Sequence, residues 1–134
     1  MPNLGEKEEI MRPISYKHVD LTGGYLFEKQ KLNRHATLDA VYDRFLETGR
    51  IGAFDFARKE GDDKKPHYYW DSDVAKWMEG AAYVLNKHPD AELEKKVDSL
   101  VAKIKENQGE DGYFNIYYTV CEPHLRWTKR SRHE

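Results

Sequence analysis

Apolar positions recur at three- and four-residue intervals along most of this chain, and strict alternation is confined to one short stretch. Leu38, Val41, Tyr42, Phe45 and Leu46 fall on one helical face, and Thr48-Gly49 supplies a stop. Val74, Trp77, Met78, Ala81, Ala82 and Leu85 form a second stripe that ends at Pro89. Leu93, Val97, Leu100, Val101 and Ile104 form a third, with Asp90 placed to cap it. The second and third helices are separated by about four residues, a spacing that predicts an antiparallel hairpin.

Elsewhere the pattern is weaker. GYLFEKQKLNR carries a helical signal after a capping Thr22, diluted in its first turn by Gly23 and Gly24. ISYKHVDLT alternates Ile14, Tyr16 and His18 as a short edge strand does. Residues 1–13 read as a flexible N-terminus, RIGAFDFARKEG as a turn and connector, and DDKKP as a solvated loop. QGEDGYFNIYYTV breaks the helical pattern: two glycines flank an acidic pair, and an aromatic, β-prone run follows. No repeat is present; Trp77, Gly80 and Tyr83 are one residue short of a tetratricopeptide spacing, and no second copy exists. The expected fold class is mainly α, built from antiparallel helix hairpins.

Length and composition narrow the function classes. A chain of 134 residues forms one domain with one core. Net charge is −2 with both signs mixed, so no basic stripe points to nucleic acid and no polybasic helix to a membrane surface. No apolar run approaches the length of a membrane span. MPNLGEKEEIMRP is charged and lacks the apolar segment of a secretory signal, and Cys121 is the single cysteine. Together these lead us to expect a reducing, cytoplasmic setting. The aromatic fraction is 13%, enough rings to line a carbohydrate or ligand surface as well as a core.

The densest candidate chemistry is YYWDSD, residues 68–73, at the mouth of the second clear helix. A carboxylate or serine there accepts hydrogen bonds from unpaired backbone N–H groups, and the helix dipole favours negative charge. One of Asp71, Ser72 and Asp73 is explained by capping; the other carboxylate faces water or rims a pocket. Asp71-x-Asp73 as a phosphoryl-transfer nucleophile requires a buried strand before it, whereas polar aromatics precede it here. His133-Glu134 begins a zinc-protease pattern that the chain does not continue. Cys121 has no evident activating base, and the remaining histidines lack metal-ligand spacing. Trp77 shares the apolar stripe and is expected in the core.

WDSDVAKWMEGAAY, then HPDAELEKKVDSLVAKIKENQGEDGYFNIYY, then RW and a terminal HE resemble the N-terminal part of glycoside hydrolase family 127, which includes non-reducing-end β-L-arabinofuranosidases. FLETGRIGAFDFA is similar to the family's Gly-Arg-Ile and Asn-Phe region, with Ala53 where the family usually has Asn. The resemblance covers most of residues 14–134. It implies an incomplete portion of an (α/α)6 barrel whose inner-helix loops build a sugar pocket for a small carbohydrate. Asp71, Asp73 and Tyr113 would then touch or shape the substrate site, and His133 matches a sugar-hydroxyl ligand. The family's nucleophile is a cysteine thiolate at a zinc site, with a glutamate and further cysteines, all downstream of the His-Glu motif. One cysteine cannot supply that centre, so the expectation is a glycosidase fragment with no catalytic residue, no metal ligand and no cofactor of its own. Helix flanks carrying Tyr83 and Val84 would be left open, and self-association through them is expected. A helical interaction module and a fragment of another (α/α)-barrel carbohydrate enzyme are the alternatives.

Overall fold

The computed structural model describes residues 11–59, 62 and 65–128. Helix α1 (Gly24–Leu32) passes through a π-helical turn, Asn33–Thr37, directly into α2 (Leu38–Glu47). Leu32, Asn33, Thr37 and Leu38 all keep right-handed helical dihedrals, so the two predicted helices are one rod. The junction NRHAT contains no proline or glycine to break it. Gly23, not Thr22, is the N-cap residue of α1. Gly49, with φ +82°, ends the rod in the left-handed conformation that glycine adopts without penalty. The expected edge strand at residues 14–18 is instead a single 3-10 turn, Tyr16–His18, and no strand is present among the described residues.

Helices α3 (Trp70–Lys87) and α4 (Ala91–Asn107) follow a connector that contains a 3-10 turn, Gly52–Asp55. Asp90 caps α4 as its position predicts, its carboxylate accepting from the Glu92 and Leu93 N–H groups at 3.1 Å. At α3 the expected side-chain cap is absent. Tyr69 is the N-cap residue, and Asp71, Ser72 and Asp73 lie inside the first turn. Arg50, just past α2, reaches Asp73 at the start of α3, while Leu38 at the start of α2 meets Trp77 and Gly80 further along. Lys96 and Lys103 of α4 pair in order with Asp39 and Asp55. Helices α2 and α4 therefore run one way and α3 the other.

The core lies where these three helices meet. Leu38, Phe54, Val74, Trp77, Ala81, Val84, Leu93 and Leu100 are its buried residues, joined by Ile51 and Ile116. Trp77 is buried, donates its indole N–H to the Leu38 carbonyl at 2.9 Å, and packs 5.0 Å from the Tyr42 ring. Val84, expected on an open flank, is 7% exposed, because it continues the Val74–Trp77–Ala81 stripe into the core. Tyr83 is half exposed and meets the Tyr16 ring edge-on at 5.3 Å. The β-prone run becomes a short helix, α5 (Ile116–Val120), started by Asn115, whose side chain accepts from the Tyr118 N–H at 2.9 Å. Ile116, Tyr117 and Tyr118 are buried there, so tertiary packing overrides strand propensity. By contrast α1 has no buried residue, and Tyr25, Leu26 and Leu32 lie exposed on it. No helix among the described residues is long and apolar enough to cross a membrane.

Candidate functional site

Two loops converge on the N-terminal end of α3. His67 and Tyr68 stack at 4.0 Å, Tyr69 leans on both, and the Asn115 side chain donates to the Tyr68 carbonyl at 3.5 Å. The second loop, residues 108–115, is tied by its own backbone. Gly109 N–H donates to the Tyr113 carbonyl at 2.9 Å, and Gly112 N–H donates to the Gly109 carbonyl at 2.8 Å. Asp111 Oδ1 accepts from the Tyr113 N–H at 3.0 Å. A Cβ on Gly109 would sit 2.7 Å from that carboxylate oxygen, so a larger residue there would push the Asp111 side chain out of this position. Arg126 closes the arrangement, pairing with Asp111 at 2.6 Å and lying over the Tyr113 ring 3.4 Å from its centroid.

Between these loops lies a cleft of about 830 Å³ whose wall includes Tyr68, Tyr69, Asp71, Tyr113, Arg126 and Trp127. Burial pushes the Asp71 carboxyl above the ordinary aspartate value, and the Ser72 and Ile116 backbone N–H groups pull against it. Asp111, in contrast, is held below the ordinary value, first by the Tyr113 N–H and then by Arg126. The Tyr69 phenol is raised by burial and by its neighbour Tyr68. The cleft thus joins aromatic faces to a part-buried carboxylate, a guanidinium and an amide. Such a surface has the chemistry to hold a small ligand that carries both C–H faces and hydroxyls.

Of the residues singled out from the sequence, Asp71 and Tyr113 share this cleft. Asp73 does not. It lines a neighbouring cleft of about 470 Å³, where Arg50 pairs with it at 3.4 Å and Lys76 approaches to 3.9 Å. Two residues apart on an α-helix point about 200° apart, so Asp71 and Asp73 cannot serve one pocket wall equally. Tyr69 and Lys76 border both clefts. His133 lies outside the described residues. Sequence reasoning passed over Arg126, although the Arg126-Trp127 pair belongs to the motif set, because its partner Asp111 is 15 positions away. Cys121 follows α5, and burial pushes its thiol up despite the opposing charges of Arg58 and Lys65. No group of three or more His, Cys, Asp or Glu side chains suited to a metal occurs among the described residues.

Over 52 residues the chain is 46% identical to a non-reducing end beta-L-arabinofuranosidase of Bifidobacterium longum subsp. longum, a match covering 39% of this chain and 8% of that enzyme. The chain therefore aligns with only a small part of its curated relative's length. No solved structure matches it. The family model described as beta-L-arabinofuranosidase, GH127 catalytic domain, matches residues 18–134, which take in every described wall residue of the cleft. The chain belongs to glycoside hydrolase family 127.

Proposed function

We propose that the cleft at the start of α3 is a sugar-binding wall, contributed by this chain to the pocket of an arabinofuranosidase-like glycoside hydrolase. On this reading the α2, α3 and α4 helices are a portion of an (α/α)6 barrel, and the natural ligand is a small L-arabinofuranoside. The observation that carries it is the convergence of Asp71 with Tyr113 and Trp127 in one cleft inside the family match. Aromatic faces hold the apolar side of a sugar ring, and a carboxylate accepts from its hydroxyls. Asp73, paired with Arg50, holds the connector after α2 against the start of α3 and acts on the ligand only through that placement.

Binding, not bond cleavage, is the role assigned to this chain. A zinc centre takes about four ligands, and the family's thiolate chemistry needs several cysteines. The described residues bring no such donor set together. They do not fit a zinc site. Retaining glycosidases need a nucleophile and an acid/base group facing each other across the glycosidic bond, and no residue is assigned either role here.

Titrating the isotopically labelled chain with methyl β-L-arabinofuranoside tests the reading. The expected result is saturable shifts at Asp71, Tyr113 and Trp127, lost in Asp71→Ala, with no release of phenol from an aryl β-L-arabinofuranoside. Absence of saturable shifts, or turnover by the pure chain, would overturn it.

A further inference from the structure

Trp127 combines two features that are unfavourable unless something offsets them. Its backbone sits at φ +64°, a left-handed conformation disfavoured for a bulky residue, and its side chain is 66% exposed. Burial of the indole cannot explain that arrangement. What accompanies it is a fixed set of contacts on one side. The indole meets the Tyr113 ring edge-on, with centroids 5.2 Å apart and planes at 71°. Tyr113 is covered on its face by the Arg126 guanidinium, the residue immediately before Trp127. Arg126 is in turn anchored to Asp111, which its own turn fixes through the Tyr113 N–H.

We infer that the Arg126–Asp111 pair is a clasp that holds the Trp127 indole at the cleft mouth as a stacking platform for a sugar ring. This rests on the proposed sugar-binding role of the cleft. Arg126 and Asp111 are positioning residues: they set where the indole stands, and the indole touches the ligand. The Arg126 guanidinium also approaches the indole, 5.6 Å from its ring centroid, and the two-thirds of the side chain left exposed is the free surface. Asp71 borders the same cleft, so a furanose ring lying on Trp127 can present hydroxyls to a carboxylate. The platform therefore favours ligands with one unsubstituted C–H face and discriminates against free polar solutes of similar size.

The experiment uses the full chain and follows its three tryptophan indole N–H resonances, with Trp127→Phe assigning the Trp127 signal. Asp111→Asn and Arg126→Gln should shift that signal toward a solvent-exposed position without changing the melting temperature. Both should weaken methyl β-L-arabinofuranoside binding about fivefold, the equivalent of a small positioning loss. Arg126→Lys, which keeps the ion pair, should recover part of the affinity. Trp127→Ala should weaken binding about tenfold, and Trp127→Phe should stay within about twofold of the parent. An indole signal and affinity unmoved by Asp111→Asn would overturn the clasp. Ligand shifts at Asp71 and Tyr69 with none at Trp127, and unchanged affinity in Trp127→Ala, would overturn the platform while leaving the sugar cleft standing. A parent chain with no ligand-induced shift anywhere would overturn both.

Discussion

Replacing Trp77 by alanine removes the side chain that ties α3 to the start of α2. The indole is 5% exposed, its N–H donates to the Leu38 carbonyl at 2.9 Å, and Tyr42 packs on it at 5.0 Å. Truncating a buried tryptophan to alanine costs about 3–5 kcal/mol, because the lost transfer energy is joined by a cavity the surroundings only partly fill. The lost hydrogen bond contributes about 1 kcal/mol of that. Against the roughly 5–15 kcal/mol that holds a domain folded, the change leaves Trp77→Ala close to unfolding. Trp77→Phe keeps most of the volume and loses the donor, so it should fall well below the alanine variant, at about 1–2 kcal/mol. Urea titrations followed by far-UV circular dichroism measure both, with the slope checked for constancy across variants. Trp127→Ala is the internal control: its exposed side chain should change stability by less than about 0.5 kcal/mol. If Trp77→Ala stays within about 1 kcal/mol of the parent, the α2–α3 contact is not the centre of this core.

Removing the α4 cap by Asp90→Ala leaves the Glu92 and Leu93 N–H groups without their acceptor and should cost about 1 kcal/mol, read as a lower melting temperature; an unchanged melt refutes the cap. Burial raises the folded-state value of Asp71, so its contribution to stability is full below the unfolded aspartate value and is lost as pH rises through the raised folded value. Asp71→Asn should therefore be more stable than the parent at neutral pH and converge with it in acid. Melting both across a pH series checks this, and a less stable variant at neutral pH would show that desolvation is not the dominant effect. Leu26 and Leu32 on the uncovered α1 surface should drive concentration-dependent association, suppressed by Leu26→Glu with Leu32→Glu. Sedimentation velocity over a dilution series reads this directly, and a single monomeric boundary throughout would refute it.

The helices that carry the site were legible in the sequence because their signal is local. Apolar residues three and four apart mark a face whatever lies opposite it, and α2, α3 and α4 appear where those stripes run. The Asp90 cap is equally local, since the side chain and the N–H groups it satisfies lie within three residues. The family motifs were legible for the same reason, as contiguous strings. Alternation over residues 14–18 misled because a strand needs a partner, and a 3-10 turn packed near Tyr83 satisfies those residues instead. Three good capping residues in a row could not by themselves say where α3 begins. The helix starts earlier, at Trp70, where the preceding loop is tied to Asn115, and so the carboxylates fall inside its first turn. Which carboxylate enters the cleft follows from helical geometry once that start is known, and Asp73 is drawn to Arg50 from the far end of a different helix. The partnership of Arg126 with Asp111 and the stance of Trp127 depend on two segments meeting in space. Only tertiary packing decides such contacts, because no local periodicity records which loop will fold back upon another.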